Sequence, residues 1–160
     1  MCTFITLYKM LPDYPIVVGM NRDERLSRRA FPPQLIEGEL RIYAPIDSEA
    51  GGTWLGVNEA GMVVGILNRV SEERHEAKNP RSRGLLCRDA LAQDSTADVM
   101  ALVMDEVGKT EYNKFSLISI DRERAWVMRY DNPQTIEFEE LAPGLHVLSL
   151  IHISEPTRPL

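Results

Sequence analysis

Apolar, β-rich runs occupy two stretches near the start of the chain, residues 2–8 and 15–20. Short apolar runs bounded by turn residues are the pattern of strands. "KMLPDY" joins the two stretches, and Pro12 and Asp13 are turn formers, so a hairpin with a longer loop is predicted. "NRDERLSRRAFPP" follows as a polar stretch closed by Pro32 and Pro33, which reads as an irregular loop. A short strand is expected over 41–44. "GGTWLGVN" and "MVVGILN" then form two apolar runs around "EAG", where Gly61 supplies the positive φ of a tight hairpin.

"VSEERHEAKNPRS" is polar and reads as an exposed connection. Two helices are predicted after it. In the first, around 83–93, Leu85, Leu86, Ala90 and Leu91 make one stripe. The second starts at Ser95, with Asp98 three residues on in a capping-box arrangement. Val99, Leu102, Val103 and Val107 fall at helical spacing, and Gly108 is the expected stop. "FSLISI" and "AWVMRY" make a further hairpin around "DRER". Strands in sequential hairpins with helices between them point to α+β architecture with antiparallel sheets.

A chain of 160 residues is enough for one domain with a real core. No apolar run approaches the roughly 20 residues of a membrane helix, and no leader pattern opens the chain. Cys2 and Cys87 give no disulfide framework, so reduced thiols and a cytoplasmic setting are expected. The net charge of -6 argues against nucleic acid as a partner. Arg22, Arg25, Arg28 and Arg29 form a local basic patch, but acids are interleaved with them and the patch reads as a solvated loop. Only His75 and His146 lie outside the last stretch of the chain, so neither a Ser-His-Asp triad nor a His-rich metal site is expected, and no cofactor. Cys87 sits among leucines and reads as a core residue.

Cys2 is different. Removal of Met1 would give it a free α-amine beside its thiol. The unperturbed values are about 7.7–8.0 for the amine and about 8.5 for the thiol. One residue would then carry both nucleophile and base, with no histidine needed. The second strand ends in "GMNRDE", and antiparallel pairing returns that end toward Cys2. Arg22 is suited to lowering the thiol pKa or to gripping a carboxylate. Asp23 or Glu24 is suited to accepting from the α-amine, and the sequence leaves open which. Asn68, closing "MVVGILN", is placed to offer its amide to a developing oxyanion.

"MCTFITLY", "GMNRDE", "GGTWLGVNEAGMVVGILNR" and "SRGLLCRDAL" together resemble the NRDE family, also called the transport and Golgi organisation protein 2 family. The resemblance spans residues 1–147. It implies likeness to N-terminal nucleophile hydrolases, whose fold is a four-layer αββα sandwich, with bile-salt hydrolases and penicillin V acylases as nearest analogues. It carries the nucleophile onto Cys2, the family motif onto Asn21, Arg22, Asp23 and Glu24, and the oxyanion donor onto Asn68, with Asn21 and Arg22 as substrate-binding residues. The implied partner is a small-molecule amide. The animal members imply an alternative, a non-enzymatic haem or acyl-lipid carrier. Where members often read "FNLL", this chain has "FSLI", with Ser116 in place of asparagine.

The final stretch has a second resemblance. Leu148 through Arg158 match, without a mismatch, one reading frame of a transposase-type sequencing adapter. Residues 148–160 are therefore set aside as an artefact tail, His152 with them. The domain is taken as 1–147, and the natural protein is expected to be C-terminally truncated here. "PGLHVLS" also resembles the family's "G-x-H-x-L-S-N" segment, so Leu148 and Ser149 fit both readings.

Overall fold

The computed structural model describes residues 2–69 and 79–149. The elements run β1 (Thr3–Tyr8), β2 (Ile16–Asn21), β3 (Ala30–Ile36), β4 (Ile42–Asp47), β5 (Leu55–Asn58), β6 (Val63–Asn68), α1 (Arg83–Leu91), α2 (Thr96–Lys109), β7 (Phe115–Ile120), β8 (Ala125–Asn132), β9 (Thr135–Glu140) and β10 (Gly144–Ser149). They form two antiparallel sheets. The small one has the order β10-β1-β2, and the large one runs β3-β4-β5-β6-β7-β8-β9. No helix among the described residues is long and apolar enough to cross a membrane.

Alternation along the strands splits the core in two. Val64, Ile66, Phe115, Leu117, Met128 and Tyr130 point to one face of the large sheet. There they meet Leu86, Cys87, Ala90 and Leu91 of α1 and Val99, Val103 and Val107 of α2. Leu67, Ile118, Ile120, Ala125 and Val127 point to the other face, where Phe4 and Tyr8 of β1 cover them. Phe4 has no solvent exposure, and its ring lies against Gly65, where a Cβ would stand 2.9 Å from Cε2. The layers are thus helices, large sheet, small sheet. Of the expected αββα sandwich, three layers are formed by the described residues. The outer face of the small sheet, with Ile5, Val17 and Val147, is exposed.

Several expectations are corrected. The stretch read as an irregular loop contains β3, and Pro32 and Pro33 lie within it. The strand is at the sheet edge, and the register shifts between Phe31 and Gln34, where the prolines need no ladder N–H. β4 runs on to Asp47, beyond the short strand expected. The α1 stripe takes in Cys87, while Leu85 is only partly buried. Gly108 stays helical; α2 ends one residue later, where Thr110 turns extended. β9 was not expected, because its glutamates leave most of the strand exposed; charges suit an edge strand. The Ser95 cap is present, its side chain accepting from the Asp98 N–H. Leu148 and Ser149 pair with Phe4 and Thr3, so β10 runs two residues into the stretch set aside. His75 lies outside the described residues.

Phe4→Ala empties the contact between the sheets. It is expected to cost about 3–5 kcal/mol, measured as a lowered denaturation midpoint at unchanged slope.

Candidate functional site

The site begins at the open end of the first hairpin. Thr3 pairs with Asn21, so the residue before β1 meets the residues after β2. The Thr3 N–H donates to Asn21 Oδ1 at 2.8 Å, which closes the strand end. Cys2 is 8% exposed. The Asp23 N–H donates to Cys2 Sγ at 3.3 Å, and the thiol donates to the Asp23 carbonyl at 3.6 Å. The sulfur is therefore held on both sides by one backbone unit.

Arg22, the next residue along from Asn21, enters a clamp. Its Nη2 donates to Asp47 Oδ2 at 2.5 Å, and its guanidinium lies over the Trp54 ring, 4.4 Å from the centroid. Arg28 grips the same carboxylate with Nε at 2.8 Å and Nη2 at 3.2 Å. The N–H groups of Glu49 and Ala50 donate to Asp47 Oδ1 from the turn after β4. Glu24 accepts from the Arg25 N–H and pairs with Arg28 at 3.8 Å.

The far wall is the start of α1. Gly52 and Gly84 touch backbone to backbone; a Cβ on Gly52 would lie 2.3 Å from the Gly84 carbonyl carbon. The Thr53 N–H donates to the Gly84 carbonyl at 3.0 Å. This contact sets Ser82, Arg83 and Gly84 on the edge of a cavity of about 270 Å³. Arg83 Nη1 donates to the Lys114 carbonyl at 2.8 Å. Asn68, exposed at the end of β6, completes the rim.

Electrostatics act on Cys2 in both directions. Burial pushes the thiol above its ordinary value; the chain's amino terminus pulls it down, Glu24 pushes it up, and Arg22 and Arg83 pull it down. Burial is the largest effect and the net shift is upward. Burial also pushes the Asp47 carboxyl up, but hydrogen bonds from Arg28 and the Ala50 and Glu49 N–H groups, with the Arg28 charge, outweigh it. The result lies below the usual carboxylate range. Cys87 is fully buried, and desolvation pushes its thiol far up, in keeping with a core residue.

Cys2, Arg22, Asp23, Glu24 and Asn68 all line the one cavity. Asn21 lies outside the lining, its amide oxygen committed to Thr3. Ser116 is buried within β7, opposite Leu67 and Arg129, and also lies outside the lining. Arg28, Asp47, Trp54 and Arg83 line the cavity and were not singled out for it. The basic patch is thus only partly a solvated loop. Arg25 and Arg29 are exposed, whereas Arg22 and Arg28 turn inward onto Asp47. Asp47 closes the largely apolar β4 and is itself buried, with Arg22 and Arg28 as its cation partners.

The family profile of TANGO2, Transport and Golgi organisation 2, matches residues 1–158. The chain belongs to the Transport and Golgi organisation 2 family. It is 31% identical over 156 residues to the Bos taurus Transport and Golgi organization protein 2 homolog, and 30% identical over the same length to the Mus musculus one. Each match covers 92% of this chain and 54% of the relative, so the chain spans about half the length of those Transport and Golgi organisation relatives. Its fold resembles the C2A mutant of conjugated bile acid hydrolase from Clostridium perfringens. The TM-score there is 0.60 at 15% identity, covering 91% of this chain and 53% of that one. Penicillin V acylase from Agrobacterium tumefaciens gives a TM-score of 0.53 at 12% identity, covering 88% and 49%. The Transport and Golgi organisation domain therefore has an N-terminal-nucleophile-hydrolase-like fold over about half the length of those chains.

Asp47→Asn removes the charge that two arginines share. A loss of about 1–3 kcal/mol is expected at neutral pH, less than for a fully enclosed pair because both arginines reach solvent. A depressed carboxylate stabilises above the ordinary carboxylate range and stops doing so as pH falls through the folded-state value. The gap between wild type and variant should therefore close toward acid pH, as read from denaturation midpoints across a pH series.

Proposed function

We propose that this protein is an N-terminal-cysteine amidohydrolase acting on a non-peptide C–N amide. The observation that carries the reading is Cys2 Sγ, held by the Asp23 backbone and lining a cavity that Arg22 and Asn68 share. The hydrolase-like fold supports it.

Loss of Met1 frees the Cys2 α-amine, which takes the thiol proton as Sγ attacks the carbonyl carbon. The oxyanion forms toward the Asn68 amide and a backbone N–H. Collapse breaks the C–N bond, and the α-ammonium returns the proton to the leaving amine. An acyl-thioester remains on Sγ. Water attacks it with the α-amine again as base, releasing a carboxylic acid and restoring the thiol. The Asp23 N–H at 3.3 Å favours the thiolate during these steps and offsets part of the cost of burial. Asp23 and Glu24 both line the cavity and are the carboxylates in reach of this chemistry, so either serves as acceptor for the α-amine.

A reducing, cytoplasmic setting is part of the proposal, because Sγ must stay a thiol. So is a complete αββα sandwich, in which a fourth, helical layer covers the exposed Ile5, Val17 and Val147. The alternative of a haem or acyl-lipid carrier is less favoured by the lining. Arg22, Arg28, Arg81, Arg83, Asp23, Glu24 and Asp47 make the cavity polar and charged, which suits a compact polar substrate.

The test is to incubate Met1-free protein with a panel of N-acyl amides and follow acyl adducts by intact mass. An adduct on Cys2 is expected, absent in Cys2→Ala. Asn68→Ala should slow its formation by about 10²–10³. No adduct with any amide, together with tight binding of haem or acyl lipid, would move the function to the carrier.

A further inference from the structure

The cavity holds more positive charge than its own carboxylates use. Among the described residues four arginines line it, and three of them are ion-paired. Arg22 and Arg28 share Asp47. Arg81 reaches Asp89 at 2.6 Å, Glu106 at 3.2 Å and the Tyr112 hydroxyl at 2.8 Å. Arg83 has no carboxylate partner among the described residues. Its Nη1 donates to the Lys114 carbonyl, and no acceptor for Nε or Nη2 is found among the described residues. Glu24 acts on it only at longer range, being ion-paired to Arg25 and Arg28. Desolvation and the Arg28 charge both act against the Arg83 cation, so its position is electrostatically costly without an anion.

Geometry limits where relief comes from. Arg83 is the first residue of α1, and the contact between Gly52 and Gly84 fixes that helix start against the loop before β5. The Lys114 carbonyl anchors one arm of the guanidinium from a different segment. The fork is therefore pre-positioned, with its remaining N–H groups available on the cavity that Cys2 lines. A rigid guanidinium fork recognises planar or tetrahedral oxyanions better than any neutral group does.

We propose that Arg83 is the specificity-determining residue of this site, anchoring a carboxylate- or phosphate-type anion on the substrate whose amide is presented to Cys2. The inference rests on Cys2 being the reacting atom. Arg83 does not touch the scissile bond; it selects and orients what reaches it. Substrates of this protein are then anionic amides, and a neutral amide of the same size binds poorly.

Two alkylating probes of like size test this without a known substrate. Iodoacetate carries a carboxylate, and iodoacetamide does not. In both, Sγ displaces iodide from the same carbon, so a change in thiolate fraction cancels in the ratio of their rates. That ratio at Cys2, divided by the ratio for free cysteine, reports the anion preference alone. The wild-type value is expected to be about tenfold, the size of one charge-assisted hydrogen bond. Arg83→Gln should return it to about one, Arg83→Lys should keep part of it, and added salt should lower the wild-type value. A wild-type ratio no larger than that of free cysteine, or one that survives in Arg83→Gln, would overturn the assignment. Slow alkylation by both reagents with the preference intact would count against the hydrolase reading while upholding the anchor. Fast alkylation by both with no preference would do the reverse.

Discussion

Thr3 lies opposite Asn21, and that one pairing decides what stands next to Cys2. Antiparallel register carries each residue outside β1 to its counterpart outside β2. With this register, Sγ meets the N–H and carbonyl of Asp23. A slip by one residue would reverse the faces of β1, turning Phe4, Thr6 and Tyr8 outward. The inward packing of Phe4 against Gly65 and of Tyr8 in the inter-sheet core forbids the slip. The hydrophobic layer between the sheets therefore holds the sulfur in place, although none of its side chains reacts.

A second constraint follows from putting arginines around a half-enclosed cavity. Asp47 gathers Arg22, Arg28 and two turn N–H groups onto one carboxylate. Trp54 gives the Arg22 cation a ring face to rest on. On the other wall, Arg81 is balanced by Asp89 and Glu106. Among the described arginines of the cavity lining, Arg83 is the one with no carboxylate ion pair, and it lines the same space as the thiol. Structure and proposed chemistry meet in that residue.

Much of this was legible in the sequence, and the reason differs by element. The β1–β2 and β7–β8 hairpins follow from short apolar runs joined by polar turn segments, which are local signals. The α2 start follows from Ser95 and Asp98, again within four residues. β3 was hidden because prolines normally argue against a strand, and only its edge position and register shift admit them. Cys2, Arg22, Asp23, Glu24 and Asn68 were legible as candidates through chemistry and family resemblance. Asp47 and Arg83 were not, because their meaning lies in partners far along the chain. Asp47 binds arginines 19 and 25 residues away, and Arg83 leans on a carbonyl 31 residues away. Spacing in sequence carries no trace of such pairs. Asn21 belongs to the motif, and its amide oxygen also accepts from the Thr3 N–H at the strand end.

The most direct test compares Met1-free and Met1-retaining protein at neutral pH, following iodoacetamide addition to Cys2 with Cys87 as internal control. With Met1 present, Cys2 should react more slowly than a free thiol, because burial raises its pKa. With Met1 gone, the α-amine beside the sulfur should speed the reaction by about tenfold, the effect of about one pKa unit. Cys87 should stay inert in both forms. Equal rates at Cys2 in the two proteins would contradict the account, because the amine would then have no part in activating the thiol.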